Sequence, residues 1–120
     1  MQKGEFALAK IKHQTWRLRL RSFLLGSNGV RELELTSPRE CGLGKWIYGD
    51  GLTKYGHDSE MQQLEQEHAR LHELAEKLVR LKNAGSVKSP LKHLEAFQAL
   101  SDRLIALLSH LGEKFDSVEV

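Results

Sequence analysis

Two histidines four residues apart, His68 and His72, carry the densest chemistry in the chain. They lie in MQQLEQEHARLHELAEKLVRL, residues 61–81, where Met61, Leu64, His68, Leu71, Ala75 and Leu78 recur at steps of three and four. That spacing predicts an amphipathic helix with these residues on a stripe facing a core. His68 is on the stripe, and His72 borders it one turn on, about 5–6 Å away at Cβ. Two imidazoles so placed can converge on one metal ion, whose bonds to nitrogen are about 2.0–2.1 Å long. A partly buried histidine pair bonded to carbonyls or water has the same spacing, and HxxxH alone does not separate the two.

Two other segments place comparable groups on inward faces. Residues 3–25 read as the first helix, with Phe6, Ala9, His13, Trp16, Leu20 and Phe23 stepping by three and four. His13 and Trp16 share a face, so the indole can shield the imidazole from water; a core histidine beside a core tryptophan is the alternative. Ser37-Pro38-Arg39-Glu40 combines a capping box with proline at the first helical position. It predicts a short helix over residues 41–49, CGLGKWIYG. Each of its first two glycines is unfavourable by about 1 kcal/mol relative to alanine. Gly44, one turn from Cys41, therefore points to close approach of another group beside the sulfur. A thiol in the first turn of a helix has its pKa lowered by the dipole, whereas a lone cysteine is more usually buried and inert. Both roles are open for Cys41. Together His13, Cys41, His68 and His72 offer three nitrogens and one sulfur, a set that suits the tetrahedral preference of zinc.

The remaining segments connect these. Gly26-Ser27-Asn28-Gly29 ends the first helix. Residues 30–36, VRELELT, alternate apolar and charged, but a lone strand would have no partner, so a loop crossing the bundle is expected. Residues 49–57 read as a glycine-rich loop that exposes His57. Ser59 with Gln62 offers a capping box for the long helix, which should end near Asn83-Ala84-Gly85. Ser89-Pro90 opens a last helix over 90–112, with Leu91, Leu94, Phe97, Leu104, Ile105, Leu108 and Leu111 on its apolar side. His93 and His110 receive no role. The expected fold is all-α: a single domain over 1–120, a bundle of three long helices plus one short Cys-bearing helix.

Composition narrows the function. Eighteen Lys and Arg oppose sixteen Asp and Glu, so the chain is no polycation. The first helix is basic, with Lys3, Lys10, Lys12, Arg17, Arg19 and Arg21 against Glu5, but these charges are spread around it rather than gathered for phosphates. Nucleic acid is not an expected partner. No apolar run approaches the ~18 residues of a membrane span, and no signal peptide is visible. A single cysteine excludes an internal disulfide framework and fits a reducing compartment, so the cytoplasm is the expected location.

Three linked blocks resemble a known family. His13-Gln-Thr-Trp16, Cys41-Gly-Leu-Gly-Lys-Trp46 and His68-Ala-Arg-Leu-His72, separated by residues 17–40 and 47–67, are similar to the motifs of the chemoreceptor zinc-binding domain (CZB) family. The resemblance covers residues 3 to about 82. It implies that His13, Cys41, His68 and His72 are the ligands of one Zn2+. It also implies a cytoplasmic bacterial helical domain that often forms homodimers. Such domains are usually fused to chemoreceptors or diguanylate cyclases whose output zinc tunes, and some are thought to sense hypochlorous acid through the ligand cysteine. No signalling or cyclase domain is readable in this chain.

Rival readings make discriminating demands. A zincin hydrolase needs HExxH with glutamate as general base, and Ala69 follows His68 here. Four protein ligands would also leave no position for a substrate water. A di-iron bundle could use His72 and Glu76, but it needs ligands from all four helices, and the last helix has no ExxH pair. A metal-free helical interaction module is the remaining alternative. The sequence therefore leads to a zinc-binding sensor or regulatory module, not an enzyme, acting on a signalling effector in cis or in trans.

Overall fold

The computed structural model describes residues 4–26, 32–85 and 90–115, with side chains from residue 95 onward in the last stretch. Its described residues are mostly helical, joined by short turns and without strands: α1 (Glu5–Leu24), α2 (Glu32–Thr36), α3 (Gly42–Trp46), a π-helical turn (Ile47–Gly51), α4 (Leu52–Tyr55), α5 (Ser59–Asn83) and α6 (Pro90–Phe115). The all-α expectation holds, and α1, α5 and α6 are the three long helices. They bury the stripes read from the sequence: Phe6, Ala9, His13, Trp16 and Leu20 from α1, Met61, Leu64, His68, Leu71, Ala75 and Leu78 from α5, and Phe97, Leu104, Leu108 and Leu111 from α6. Apolar side chains at these steps remove one continuous face per helix from water, which stabilises helices that would be marginal alone. Gly85, at φ 72°, follows α5 in the left-handed backbone that glycine adopts without steric cost.

Several boundaries differ from expectation, each for a local reason. The predicted loop over 30–36 contains α2, and its residues 30 and 31 lie outside the described part. Leu35 of α2 is fully buried, so its backbone groups must be bonded within the protein, and a helical turn does this without a partner strand. The Cys-bearing helix begins later than predicted. Ser37 spends its hydroxyl on the Arg39 N–H in a turn (3.4 Å), and Cys41 is the N-cap, its sulfur accepting from the Gly44 N–H at 3.2 Å. The expected loop over 49–57 is helical as far as Tyr55. Ile47 and Gly51 are buried there, and a kink at Gly49 (φ −101°, ψ −106°) joins the pieces. Finally, Asp58 rather than Ser59 caps α5, its carboxylate accepting from the N–H groups of Glu60 and Met61 at 2.9 and 3.2 Å. His57 is exposed as expected. The side chain of His93 lies outside the described residues, and His110 faces Glu60 at 3.0 Å on the surface.

Candidate metal centre

Cys41, His68 and His72 converge in the core. The Cys41 sulfur lies 3.3 Å from Nε2 of His68 and 3.3 Å from Nε2 of His72. Potential ligand atoms of the three residues all lie within 4.8 Å of one another. A tetrahedral zinc with bonds of about 2.3 Å to sulfur and about 2.05 Å to nitrogen would hold S and N about 3.5 Å apart. The two sulfur–nitrogen distances are within a few tenths of that value, so this part of the cluster fits the ion. All three side chains are nearly solvent-free, at 3%, 1% and 1% exposure, which keeps water from competing for the sulfur.

Each ligand is placed by a different element. The four-residue step on α5 sets the two imidazoles one above the other, with ring centroids 4.6 Å apart. His72 is oriented further by α2, whose Leu35 carbonyl lies 2.8 Å from Nδ1. Donation of the Nδ1 proton to that carbonyl leaves the Nε2 lone pair toward the sulfur, the usual arrangement behind a ligand histidine. Nδ1 of His68 is buried and has no hydrogen-bond partner among the described residues. Gly44 lets α3 close over the site. A Cβ there would overlap the Pro38 carbonyl oxygen, lie 2.8 Å from the Pro38 carbonyl carbon and sit 3.2 Å from Cε1 of His68. The close approach inferred from the two glycines is therefore real, and His68 is one of the groups involved.

His13 is as buried as the other two histidines, but the structure does not bring it into this three-residue cluster. Its Nε2 lies 2.9 Å from the hydroxyl of Ser101 on α6. Trp16 forms the wall between, with its ring 5.8 Å from His13 and 4.6 Å from His72, and its indole N–H bonded to the Glu34 carbonyl at 3.0 Å. The shared face expected for His13 and Trp16 is thus observed.

Electrostatics favour neutral, metal-ready imidazoles. Burial holds His68 down to about 3, aided by the charges of His72 and His13. Burial likewise brings His13 to about 4, with Arg17 and His72 adding to it. His72 falls to about 4 through burial alone, since its bond to the Leu35 carbonyl acts in the opposite direction. For Cys41 the two effects weighed from the sequence oppose each other. Burial raises its thiol above the ordinary range and outweighs the lowering effect of the Gly44 and Leu43 backbone. A five-residue helix supplies too little dipole to reverse that cost. A bound divalent ion would replace the thiol proton and stabilise the thiolate instead.

Three groups near the site were invisible in the sequence: the Leu35 carbonyl, Ser101, and Glu5. The Glu5 carboxylate is 8% exposed and accepts from Trp46 Nε1 (2.9 Å), Tyr55 OH (3.0 Å) and Lys54 Nζ (3.4 Å). It pins the far end of the Cys41 segment to the start of α1. Glu76, the second residue of the di-iron reading, pairs with Arg80 one turn on.

A helical bundle that buries a thiol between two converging imidazoles is a metal-binding module. Residues 13–79 match the chemoreceptor zinc-binding domain, and the chain belongs to that family. Family and cluster together identify its metal as Zn2+. No significant match is found among curated proteins or among solved structures. No described helix is long and apolar enough to cross a membrane.

Proposed function

We propose that the domain is a zinc-responsive regulatory module that holds one Zn2+ per chain through His13, Cys41, His68 and His72. It passes its state to a signalling partner of chemotaxis or cyclic-di-GMP type, and it works in the cytoplasm as a homodimer. The observation that carries the reading is the Cys41 sulfur at 3.3 Å from two imidazole nitrogens in a dry core. His13, whose ring nitrogens lie outside the three-residue cluster, would have to turn toward the sulfur to complete the set. Four protein ligands leave no position for a substrate water, which argues for regulation rather than catalysis.

Oxidant sensing at the sulfur is part of this proposal. A surface cleft of about 270 Å³ reaches Cys41, with Lys12 and Lys45 among the residues lining it. Oxidation of the thiolate by hypochlorous acid, with release of chloride, gives a sulfenic acid that is a poorer zinc ligand. Elemental analysis of the purified full chain tests the ligand set. One zinc per chain is expected, with most of it lost in His13→Ala, Cys41→Ala, His68→Ala and His72→Ala and retained in His57→Ala and His110→Ala. Full occupancy in Cys41→Ala would remove the sulfur from the assignment.

A further inference from the structure

The outer face of α1 carries a second pattern, independent of the metal. Leu8, Ile11, Leu18 and Leu25 are 53%, 56%, 64% and 79% exposed, and with Leu33 they are the exposed large hydrophobics among the described residues. On α1 they follow a heptad seam: Leu8, Ile11, Thr15, Leu18, Ser22 and Leu25 alternate steps of three and four, and Thr15 and Ser22 are exposed as well. This seam lies opposite the stripe that buries Phe6, Ala9, His13, Trp16 and Leu20. From Leu8 to Leu25 it rises by about 26 Å at 1.5 Å per residue.

The charges that α1 itself places on the flanks are of one sign. Lys12 and Arg19 border the seam on one side and Arg21 on the other, in the positions that set partner choice in coiled coils. Arg19 pairs with Glu34 at 2.9 Å, while Lys12 and Arg21 have no ion-pair partner among the described residues. The one acid on α1, Glu5, is buried under Trp46 and Tyr55. Beside the seam the acids are Glu34, already engaged by Arg19, and Glu40, against Lys12, Arg19, Arg21 and Lys45, so two copies laid seam to seam would still bring an excess of cations together. A groove of about 610 Å³ opens beside the seam between α1 and α6, lined by Arg17, Leu18, Arg21, Leu24, Leu25 and Phe97. It can take one bulky apolar side chain under a cationic lip. The seam is two residues wide and interrupted by hydroxyls, which suits a helix better than the broad apolar face of a membrane-surface helix.

We infer that the outer face of α1 docks an acidic amphipathic helix of a partner protein, with apolar residues at heptad spacing and Glu or Asp on both flanks. Because α1 presents His13 on its inner face, the same helix backs both the metal cluster and the docking seam. The docking itself does not depend on the zinc assignment.

Fluorescence anisotropy with the full zinc-loaded chain tests it. Two labelled three-heptad peptides with Leu along the seam serve as probes, one with Glu and one with Lys on the flanks. The Glu peptide is expected to bind at least about tenfold more tightly, with the advantage shrinking at high salt. Leu18→Glu and Arg21→Glu should each remove most of the binding while leaving far-UV helicity and zinc content unchanged. Arg21→Glu is the safeguard if Leu18→Glu misfolds, because Arg21 is exposed. Equal binding of the two peptides, or binding of neither, overturns the proposal. So does concentration-dependent self-association that Leu18→Glu abolishes, which would make a second copy the occupant. Binding to phosphatidylglycerol vesicles with no peptide preference would assign the face to lipid instead.

Discussion

Gly44→Ala is the sharpest single perturbation of the site. The added methyl would overlap the Pro38 carbonyl oxygen and lie 2.8 Å from the carbonyl carbon, against about 3.5–4.0 Å for an ordinary contact. Backbone on one side and the His68 ring at 3.2 Å on the other leave no rotamer to absorb it. The chain at 38–44 must therefore move by roughly an ångström, whereas metal–ligand distances tolerate only about 0.2 Å. The Gly44 N–H that supports the sulfur at 3.2 Å moves with it. Overpacking costs about 1–3 kcal/mol, and alanine in place of glycine returns about 1 kcal/mol of helix propensity. Stability of the metal-free protein should thus fall by no more than about 2 kcal/mol, while zinc affinity drops at least about tenfold. Gly42→Ala is the matched control. Its methyl would meet only Lys12 side-chain carbons at 3.6–3.7 Å, so zinc affinity should be unchanged. Competition titration against a chromogenic chelator and the cobalt thiolate band read the two variants side by side. Wild-type zinc affinity in Gly44→Ala, with the thiolate band intact, would refute the reasoning.

Other outcomes follow from the same geometry. Ser101→Ala should weaken zinc binding in the wild-type background and leave it unchanged in His13→Ala, because the hydroxyl acts through the imidazole 2.9 Å away; an equal loss in both backgrounds would make Ser101 a packing residue only. In the metal-free protein, burial holds His13, His68 and His72 at about 4, 3 and 4, so below about 6.5 the unfolded chain takes up protons first. The stability these groups give is complete above pH 6.5 and is lost on acidification, by up to about 4 kcal/mol per pH unit for three sites; urea midpoints unchanged between pH 7 and 4.5 would contradict it. Chelation of zinc should speed amide exchange mainly over residues 37–45 while far-UV helicity is kept, and global unfolding would show that the metal is a structural clamp.

What the sequence disclosed was whatever rests on local periodicity. The four-residue step of His68 and His72, the stripe that buries His13 with Trp16, and the tight spot at Gly44 each follow from helix geometry and from the absence of a Cβ. Contacts between distant segments left no such trace. Ser101 is 88 residues from His13 and lies beyond the family match, and nothing in its helix sets it apart from any other small core residue. Five residues are too few to show a 3.6-residue period, so α2 read as alternation, and its Leu35 carbonyl could not be foreseen as the group that orients His72. The cap of α3 was misplaced because Ser37 and Glu40 match the capping-box spacing. A sulfur that caps its own helix has no comparable signature.

The segment from Cys41 to Tyr55 is held at both ends, and the two anchors differ in kind. At its start the sulfur sits among imidazoles, and burial alone would keep it a protonated, weakly bonded thiol. At its end Trp46, Lys54 and Tyr55 converge on Glu5. Burial raises that carboxyl, yet the three donors together bring it below the ordinary carboxylate range, so it remains ionised at neutral pH. Hydrogen bonds to a buried charged acceptor are worth more than neutral ones, and Phe6 packs edge-on against Trp46 at 5.2 Å beside them. Loss of zinc therefore weakens the first anchor and leaves the second in place. The segment would pivot about Glu5, shifting the 37–45 stretch that borders the Cys41 cleft and leaving the bundle behind it unchanged. Because Glu5 belongs to the first turn of α1, the pivot is fixed to the same helix that carries His13 inward and the heptad seam outward.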